Sequence, residues 1–368
     1  MNWKSLFELR GELSSKNNLI LSLVGLVLIL LFWWGAAEFF SEMKPDVSIT
    51  TRYDNNELNR DSIEQVDSIK IANATNFIKV YPILPPPQKV ISSFPSLWND
   101  DLLWQNLSRS IWLNLQGYIW AILIAIPIGF IIGLFPLFRG LFSQPVDALR
   151  YLPLTALTGL FIIWFGIYDQ MKIAFLAFGI LVYLLPVVVQ RIDEVDDVYI
   201  KTAQTLGASK WQMIRSVFSP AVLTKLIDDI RVLTAISWTY IIIAELLNRQ
   251  GGIGALIFLK GKLGQIDRVF ALLIVIVIVG FLQDRLFVYI DKKLFPYKYY
   301  KTEMEGNYES KMGIFVILAL MLLKILQTMF LPAFNDSFNN LVWIGVIASV
   351  GFILYGEFKL KSKASENV

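Results

Sequence analysis

Long apolar runs separated by short charged segments set the pattern of this chain. A helix needs about 20 mostly apolar residues to cross the hydrocarbon core of a bilayer. Six runs approach that length: residues 19–40, 111–135, 152–168, 173–189, 230–247 and 270–290. The third and fourth are short and are split by Asp169, Gln170 and Lys172, which predicts a hairpin of two spans. Two further runs, 312–331 and 341–355, flank a short polar turn at Asn335, Asp336 and Ser337, for eight expected spans. The first run follows Lys4, Arg10 and Lys16, as a signal peptide would, and Gly35-Ala36-Ala37 is small. Its apolar stretch is longer than the roughly 7–15 residues of a signal h-region, and Trp33-Trp34 suits a membrane interface. An uncleaved anchor is expected.

Loop charges orient the spans. With the N-terminus cytoplasmic, three basic zones fall inside: residues 191–231, the group Lys292, Lys293, Lys298, Lys301 and Lys311, and the end with Lys359, Lys361 and Lys363. Residues 41–109, where acids balance bases, then fall outside, together with a basic loop at 248–268 that runs against the rule. The balance favours both termini inside. Residues 41–80 are polar, with a β-prone stretch Val47-Ser48-Ile49-Thr50-Thr51, and read equally as a small external subdomain or a solvated linker. Leu84-Pro85-Pro86-Pro87 is stiff and extended, and residues 96–113 then read as an amphipathic surface helix.

Composition sharpens the class. Hydrophobic residues make up 55% of the 368, charged ones only 17% against about 25% in soluble domains, and mean hydropathy is +0.56. Cys and His are both absent. That removes disulfides, thiolate and imidazole metal sites, a Cys nucleophile and the Ser-His-Asp triad. A net charge of +3 with scattered bases gives no nucleic-acid face. Lys260-Gly261-Lys262 lacks the earlier Gly of a phosphate-binding loop, because Leu256 stands there. The start at Gly252-Ile253-Gly254 lacks the last Gly of a dinucleotide fingerprint. No convergent acid/base cluster argues for an enzyme.

The most informative segment is the loop between the fourth and fifth spans, residues 199–220. Residues before Gly207 favour a short helix, Gly207 permits a sharp turn, Ser209 can N-cap a second helix, and Pro220 is expected to break the pattern before the next span. This segment resembles the cytoplasmic EAA loop of ABC importer permeases: Glu-Ala-Ala, three residues, Gly, nine residues, Ile-x-Leu-Pro. Gly207 and Pro220 stand at that separation, with Ala203 as the second Ala and Val217 for the Ile. Thr205-Leu206-Gly207-Ala208-Ser209-Lys210-Trp211 is similar to the nitrate/sulfonate/taurine/bicarbonate version. Leu84-Pro85-Pro86-Pro87-Gln88-Lys89-Val90, Trp164-Phe165-Gly166-Ile167, Ala244-Glu245 and Gly251-Gly252-Ile253-Gly254 resemble further family elements in family order. Three positions depart from the pattern. Lys201 stands in place of the Glu, Thr202 in place of the first Ala, and Ser219 in place of the Leu.

The resemblance implies an all-α membrane protein, a type I ABC importer permease bundle with six core spans plus two extra C-terminal spans. Its expected divisions are 1–40, the tail and first span; 41–108, an extracytoplasmic segment with the surface helix; 109–296, the permease core with its coupling loop at 191–228; and 297–368, a linker and two added spans. The implied function is a translocation path for a small solute of the oxyanion or organosulfonate kind. The implied partners are separate ATP-binding subunits, which hold the ATP since this chain carries no cofactor, a second permease subunit (identical or different), an extracytoplasmic solute-binding protein and membrane lipid. Thr202, Ala203, Thr205, Leu206, Gly207, Ala208, Ser209, Trp211 and Pro220 would form the ATPase-coupling loop. Intramembrane ionisable residues are functional candidates by default, so Glu245, with Gly251, Gly252 and Gly254, is expected at an outer gate or along the path. The alternative is a non-transporting relative that couples an ATPase to sensing or envelope assembly. Lys201 and the added spans leave that reading open.

Overall fold

The computed structural model describes residues 14–45, 69, 76–248, 250–299, 307–330 and 335–366. Two compact units form: residues 1–103 with 257–274, and residues 104–256 with 275–368. The first unit opens with α1, Ser15–Phe39, capped by the Ser14 hydroxyl accepting from the Asn17 amide. Twenty-five residues at about 1.5 Å each exceed the hydrocarbon thickness. Trp33 is more than an interfacial ring: its indole N–H donates to the Pro85 carbonyl at 3.0 Å, and its ring lies 6.1 Å from that of Phe270. Strands β1 (Glu42–Pro45) and β2 (Phe77–Val80) pair antiparallel, with Met43 opposite Lys79. Glu38 at the end of α1 accepts from Lys79 and from the Tyr81 hydroxyl, so the polar segment is closed at its base. The β-prone stretch 47–51 lies outside the described residues.

Two short helices follow, α2 (Pro87–Ser92) and α3 (Phe94–Asn99). The single surface helix expected over residues 96–113 is not formed. The chain breaks after Asn99, Leu102 adopts a left-handed φ of 51°, and the long helix α4, Leu103–Leu134, begins there. Asp101 explains the break. It takes Lys260 at 2.5 Å and Arg268 at 2.8 Å, holding the backbone off the helical path.

The second unit contains most of α4, then α5 (Pro136–Leu149), a 3-10 turn (Leu154–Leu157), α6 (Thr158–Phe165), α7 (Asp169–Asp193), α8 (Asp197–Thr205) and α9 (Lys210–Met213). A π stretch (Ile214–Phe218) leads into α10 (Ser219–Asn248), α11 (Ile253–Lys262), α12 (Ile266–Leu294), α13 (Asn307–Phe330) and α14 (Asn335–Glu366), so Asn335 to Ser337 begin α14. Helices α4 and α7 run parallel in tight contact. A Cβ on Gly117, Gly129 or Gly133 would strike Leu176, Val188 or Ile192 at 2.5 Å, the partner always 59 residues downstream. Missing side chains let the two backbones approach. Arg109–Asp169 pins one end of the pair, and at the other end Arg139 at the start of α5 pairs with Asp193 at the end of α7.

Parallel neighbours need a return crossing between them, and the bent pair α5 and 154–165, turned by 94°, makes it. Leu154 meets Gly179 and Phe161 meets Phe175, so the second limb runs antiparallel to the first half of α7. The span expected over 152–168 is therefore corrected to this bent pair, of which only the second limb falls in that run. Helix α6 has only eight residues, about 12 Å, too short to cross alone. Pro153 precedes the limb and Gly166, at φ 73°, ends it. Among the described residues seven helices are long and apolar enough to span, and the bent pair makes the eighth crossing.

Helix α10 returns antiparallel to both neighbours: Arg191 bonds Asp229 twice at 2.7 Å, Tyr118 bonds the Ile230 carbonyl, and Ser110 bonds Glu245. Asp284 on α12 pairs with Arg231 on α10. Helices α13 and α14 form an antiparallel hairpin, close-packed where Gly313 faces Ile353 and Gly345 faces Leu320. Lys359 to Glu309 and Lys293 to Glu357 fasten the hairpin at the end where α7 leads into α8. Lys324, mid-span, donates to Gln327 at 3.0 Å.

Candidate functional site

Two places gather the residues singled out from the sequence, one at each end of α7 and α10. The first is the helix-turn-helix of α8 and α9. Asp196 caps α8 by accepting from the Val198 amide, and Thr202 and Thr205 turn their hydroxyls back onto the carbonyls of Val198 and Lys201. Gly207 takes a φ of 74°, and its amide and that of Ala208 donate to Gln204 and Ala203 carbonyls. Ser209 then forms a capping box with Gln212: the Gln212 amide donates to the Ser209 hydroxyl, and the Ser209 amide to Gln212 Oε1. This reciprocal pairing satisfies two otherwise orphaned helix-end donors.

The turn presents apolar groups outward. Leu206 is 82% exposed and Trp211 69% exposed, with Val198 and Tyr199 exposed beside them; Ala203 and Ala208 are half-buried. Pro220 does not break the chain as expected. The Ser219 amide donates five residues back to Ile214, and helix continues from Lys210 to Leu247. A π turn absorbs the missing proline N–H by widening the helix just before it. Lys201, in place of the family acid, bridges Asp197 at 3.3 Å. Both groups are about three-quarters exposed, so this pair is worth at most about 0.5 kcal/mol.

An ionic clasp anchors the segment to the bundle. Glu194, just past α7, accepts from Arg191 and Lys225, at 2.6 and 3.2 Å. Those two bonds hold its carboxyl below the usual glutamate range, against the opposing pull of partial burial.

The second place surrounds Glu245 near the end of α10. Its side chain is fully buried. Ser110 donates to Oε1 at 2.6 Å, and the Gly254 amide donates to Oε2 at 2.8 Å. Ser110 Oγ in turn accepts from the Ile253 amide at 2.9 Å, and Asn106 Oδ1 accepts from Gly252 at 2.8 Å. Three successive amides of the 252–254 turn are thereby fixed by side chains of α4 and α10. Steric fit explains the glycines. Gly251 and Gly252 have φ of 88° and 104°, and a Cβ on Gly252 would lie 2.3 Å from the Glu245 carboxyl. A Cβ on Gly254 would lie 2.7 Å from the Ile242 carbonyl.

Sequence reading found Glu245 and the glycines but not Asn106 and Ser110, which hold them. Nothing local marks Ser110 among the polar residues of α4; its partner lies 135 positions away. Lys172 was also missed as a site residue. It is fully buried on α7, with Nζ 3.4 Å from Asp169 and no hydrogen-bond partner.

Comparison with known proteins places this architecture. The model of the binding-protein-dependent transport system inner membrane component matches residues 89–296. The taurine transport system permease protein TauC of Escherichia coli (strain K12) is 30% identical over 219 residues, covering 58% of this chain and 80% of that protein. The putative aliphatic sulfonates transport permease protein SsuC of Bacillus subtilis (strain 168) is 29% identical over 217 residues, 59% of this chain and 78% of that one. An inward-facing structure of the MetNI methionine ABC transporter aligns with a TM-score of 0.47 at 20% identity, covering 54% of this chain and 97% of that one. The chain belongs to the inner-membrane components of binding-protein-dependent transport systems. It is an ABC importer permease, a multi-pass protein of the inner membrane.

Proposed function

We propose that this permease forms, with a second permease subunit, the path for a small sulfonate or related oxyanion, and that α8 and α9 couple it to a separate ATPase. One observation carries the coupling assignment. A capped helix-turn-helix sits at the junction of two crossing helices and exposes Leu206 and Trp211, which no side chain among the described residues covers. Exposed aromatic and aliphatic groups on a rigid platform suit a partner's groove. ATP is bound by that partner. Residues 202–211 dock, with Ala203, Leu206 and Ala208 supplying apolar contact and Pro220 passing the motion into α10.

Glu245 acts as the anchor of the 251–254 turn rather than as a ligand. Its carboxylate already accepts from Ser110 and Gly254, and it would repel an anionic solute. The turn it holds forms the outer rim, where a solute-binding protein delivers cargo. ATP binding draws two such coupling loops together and tilts the spans, which requires ATP to bind more favourably in the outward-facing state.

Reconstitution in liposomes with the ATPase and the binding protein tests this reading. Uptake of labelled taurine or an alkanesulfonate should depend on ATP and on Leu206 and Trp211. ATP-dependent association without uptake of any sulfonate would overturn the substrate assignment, and unaltered ATPase binding by a Leu206→Glu/Trp211→Glu double variant would overturn the coupling site.

A further inference from the structure

A cavity of the second unit opens beside the second of the two places described above, where Arg109 Nη1 lies 3.4 Å from the position of a Cβ on Gly251. It measures about 860 Å³ and lies between the first halves of α4 and α7, the limb 154–165, and the end of α13. Its long axis follows α7 from Asp169 to Leu181, a rise of about 18 Å. That is close to one leaflet of hydrocarbon, about 15 Å. Polarity is graded along this axis. Arg109, Asp169 and Gln170 line one end, and Ile124 and Leu181 the other, with Phe161, Ala177 and Phe178 between.

We infer that this cavity holds one membrane phospholipid of the leaflet opposite the α8–α9 segment, chain inward and zwitterionic headgroup at Arg109 and Asp169. Two observations favour that occupant. The length matches a leaflet, and the polar end lies where a headgroup would. The charges suit a zwitterion. Arg109 bonds Asp169 through Nη2 at 3.0 and 3.1 Å, leaving Nη1 and Nε for a phosphate. Asp169 and Arg109 remain 40% exposed, and Asp169 can accept an ammonium.

Ile325 and Thr328 belong to α13, beyond the family match at residues 89–296. The added hairpin thus supplies one wall of the cleft, and the bound lipid would seal hairpin to core.

Native mass spectrometry of the intact, detergent-washed permease, supplied with defined mixtures of phosphatidylethanolamine and phosphatidylglycerol, tests the inference. One phosphatidylethanolamine per chain should be retained in preference. Arg109→Gln should lower retention about tenfold, the loss of one charged hydrogen bond. Ala177→Phe and Thr328→Phe, which fill the cleft from two different helices, should each abolish it. Thermal unfolding of the three variants checks their folding, and the headgroup preference of the wild-type chain needs no variant. Equal retention by folded cleft-filling variants would overturn the site, as would equal retention of both lipids for the headgroup. Displacement of the lipid by millimolar taurine or alkanesulfonate would make the cleft a solute site. Crosslinking of a photoreactive residue at Trp164 to a second permease copy instead of lipid would make it an interface. Either result would overturn the inference.

Discussion

The Ser110 hydroxyl lies 2.6 Å from Glu245 Oε1 while accepting the Ile253 amide at 2.9 Å, so one side chain of α4 joins the end of α10 to the turn after it. Buried polar groups left without partners are costly. The carboxylate, the hydroxyl and the amides of Ile253 and Gly254 therefore stand or fall together.

Glu245→Ala removes both acceptors from Ser110 and Gly254. It should destabilise the protein by about 2–4 kcal/mol, lowering the thermal midpoint in detergent. Glu245→Gln keeps one acceptor oxygen and should lose less. Equal midpoints for Ala and wild type would refute the anchor.

Gly252→Ala meets two obstacles at once, a φ of 104° and a carboxyl 2.3 Å from the new Cβ. Backbone strain alone costs about 1–3 kcal/mol. Gly261→Ala, with open space around it and no positive φ, serves as the control and should be neutral. Proteolysis at the 250–254 turn is expected to rise in Gly252→Ala only.

Gly207→Val tests the coupling segment separately. Nothing lies within 4 Å of a Cβ there, so any effect comes through the backbone at φ 74°. The variant should insert and accumulate normally yet pull down little ATPase. Gly207→Asn, which tolerates left-handed φ, should retain most of it. Identical recovery of ATPase by Val and wild type would remove the turn from the coupling role.

Topology is accessible to cysteine labelling, since the chain has no native Cys. Cys at Met43, on β1, should react with an impermeant reagent from outside, and Cys at Ser209 only after the membrane is opened. The opposite pattern would reverse the orientation.

Acid should loosen the coupling segment. The Glu194 carboxyl is held below its ordinary value by Arg191 and Lys225, so its clasp stabilises the fold fully above the ordinary glutamate pKa. The contribution fades as pH falls through the lowered folded value. Hydrogen exchange in residues 194–205 should rise on acidification in the wild-type chain. Glu194→Gln should exchange fast at every pH, with its profile flattened.

Local chemistry in the sequence was enough for the helix-turn-helix of α8 and α9, because each device there acts within four residues. Asp196 caps Val198, Ser209 pairs with Gln212, and Gly207 turns the backbone on its own φ. Apolar run length likewise marked the crossing helices, since lipid leaves a spanning helix no other way to satisfy its backbone. Pro220 misled because the π turn that accommodates it depends on the pairing of backbone groups, not on composition.

The sequence by itself thus determined a multi-spanning permease with a rigid loop between its fourth and fifth crossings. Tertiary structure decided the rest. The run at 152–168 looks like a span by hydropathy, yet the parallel packing of α4 on α7, glycine against Leu176, Val188 and Ile192, requires a return path between them, which the pair bent by 94° supplies. Glu245 could be flagged as an acid in an apolar run, but its role depends on Ser110, 135 residues earlier, and on amides nine residues later. Hydropathy records the cost of leaving water one residue at a time. A buried carboxylate's partners are chosen by how whole helices pack, and no single segment carries that information.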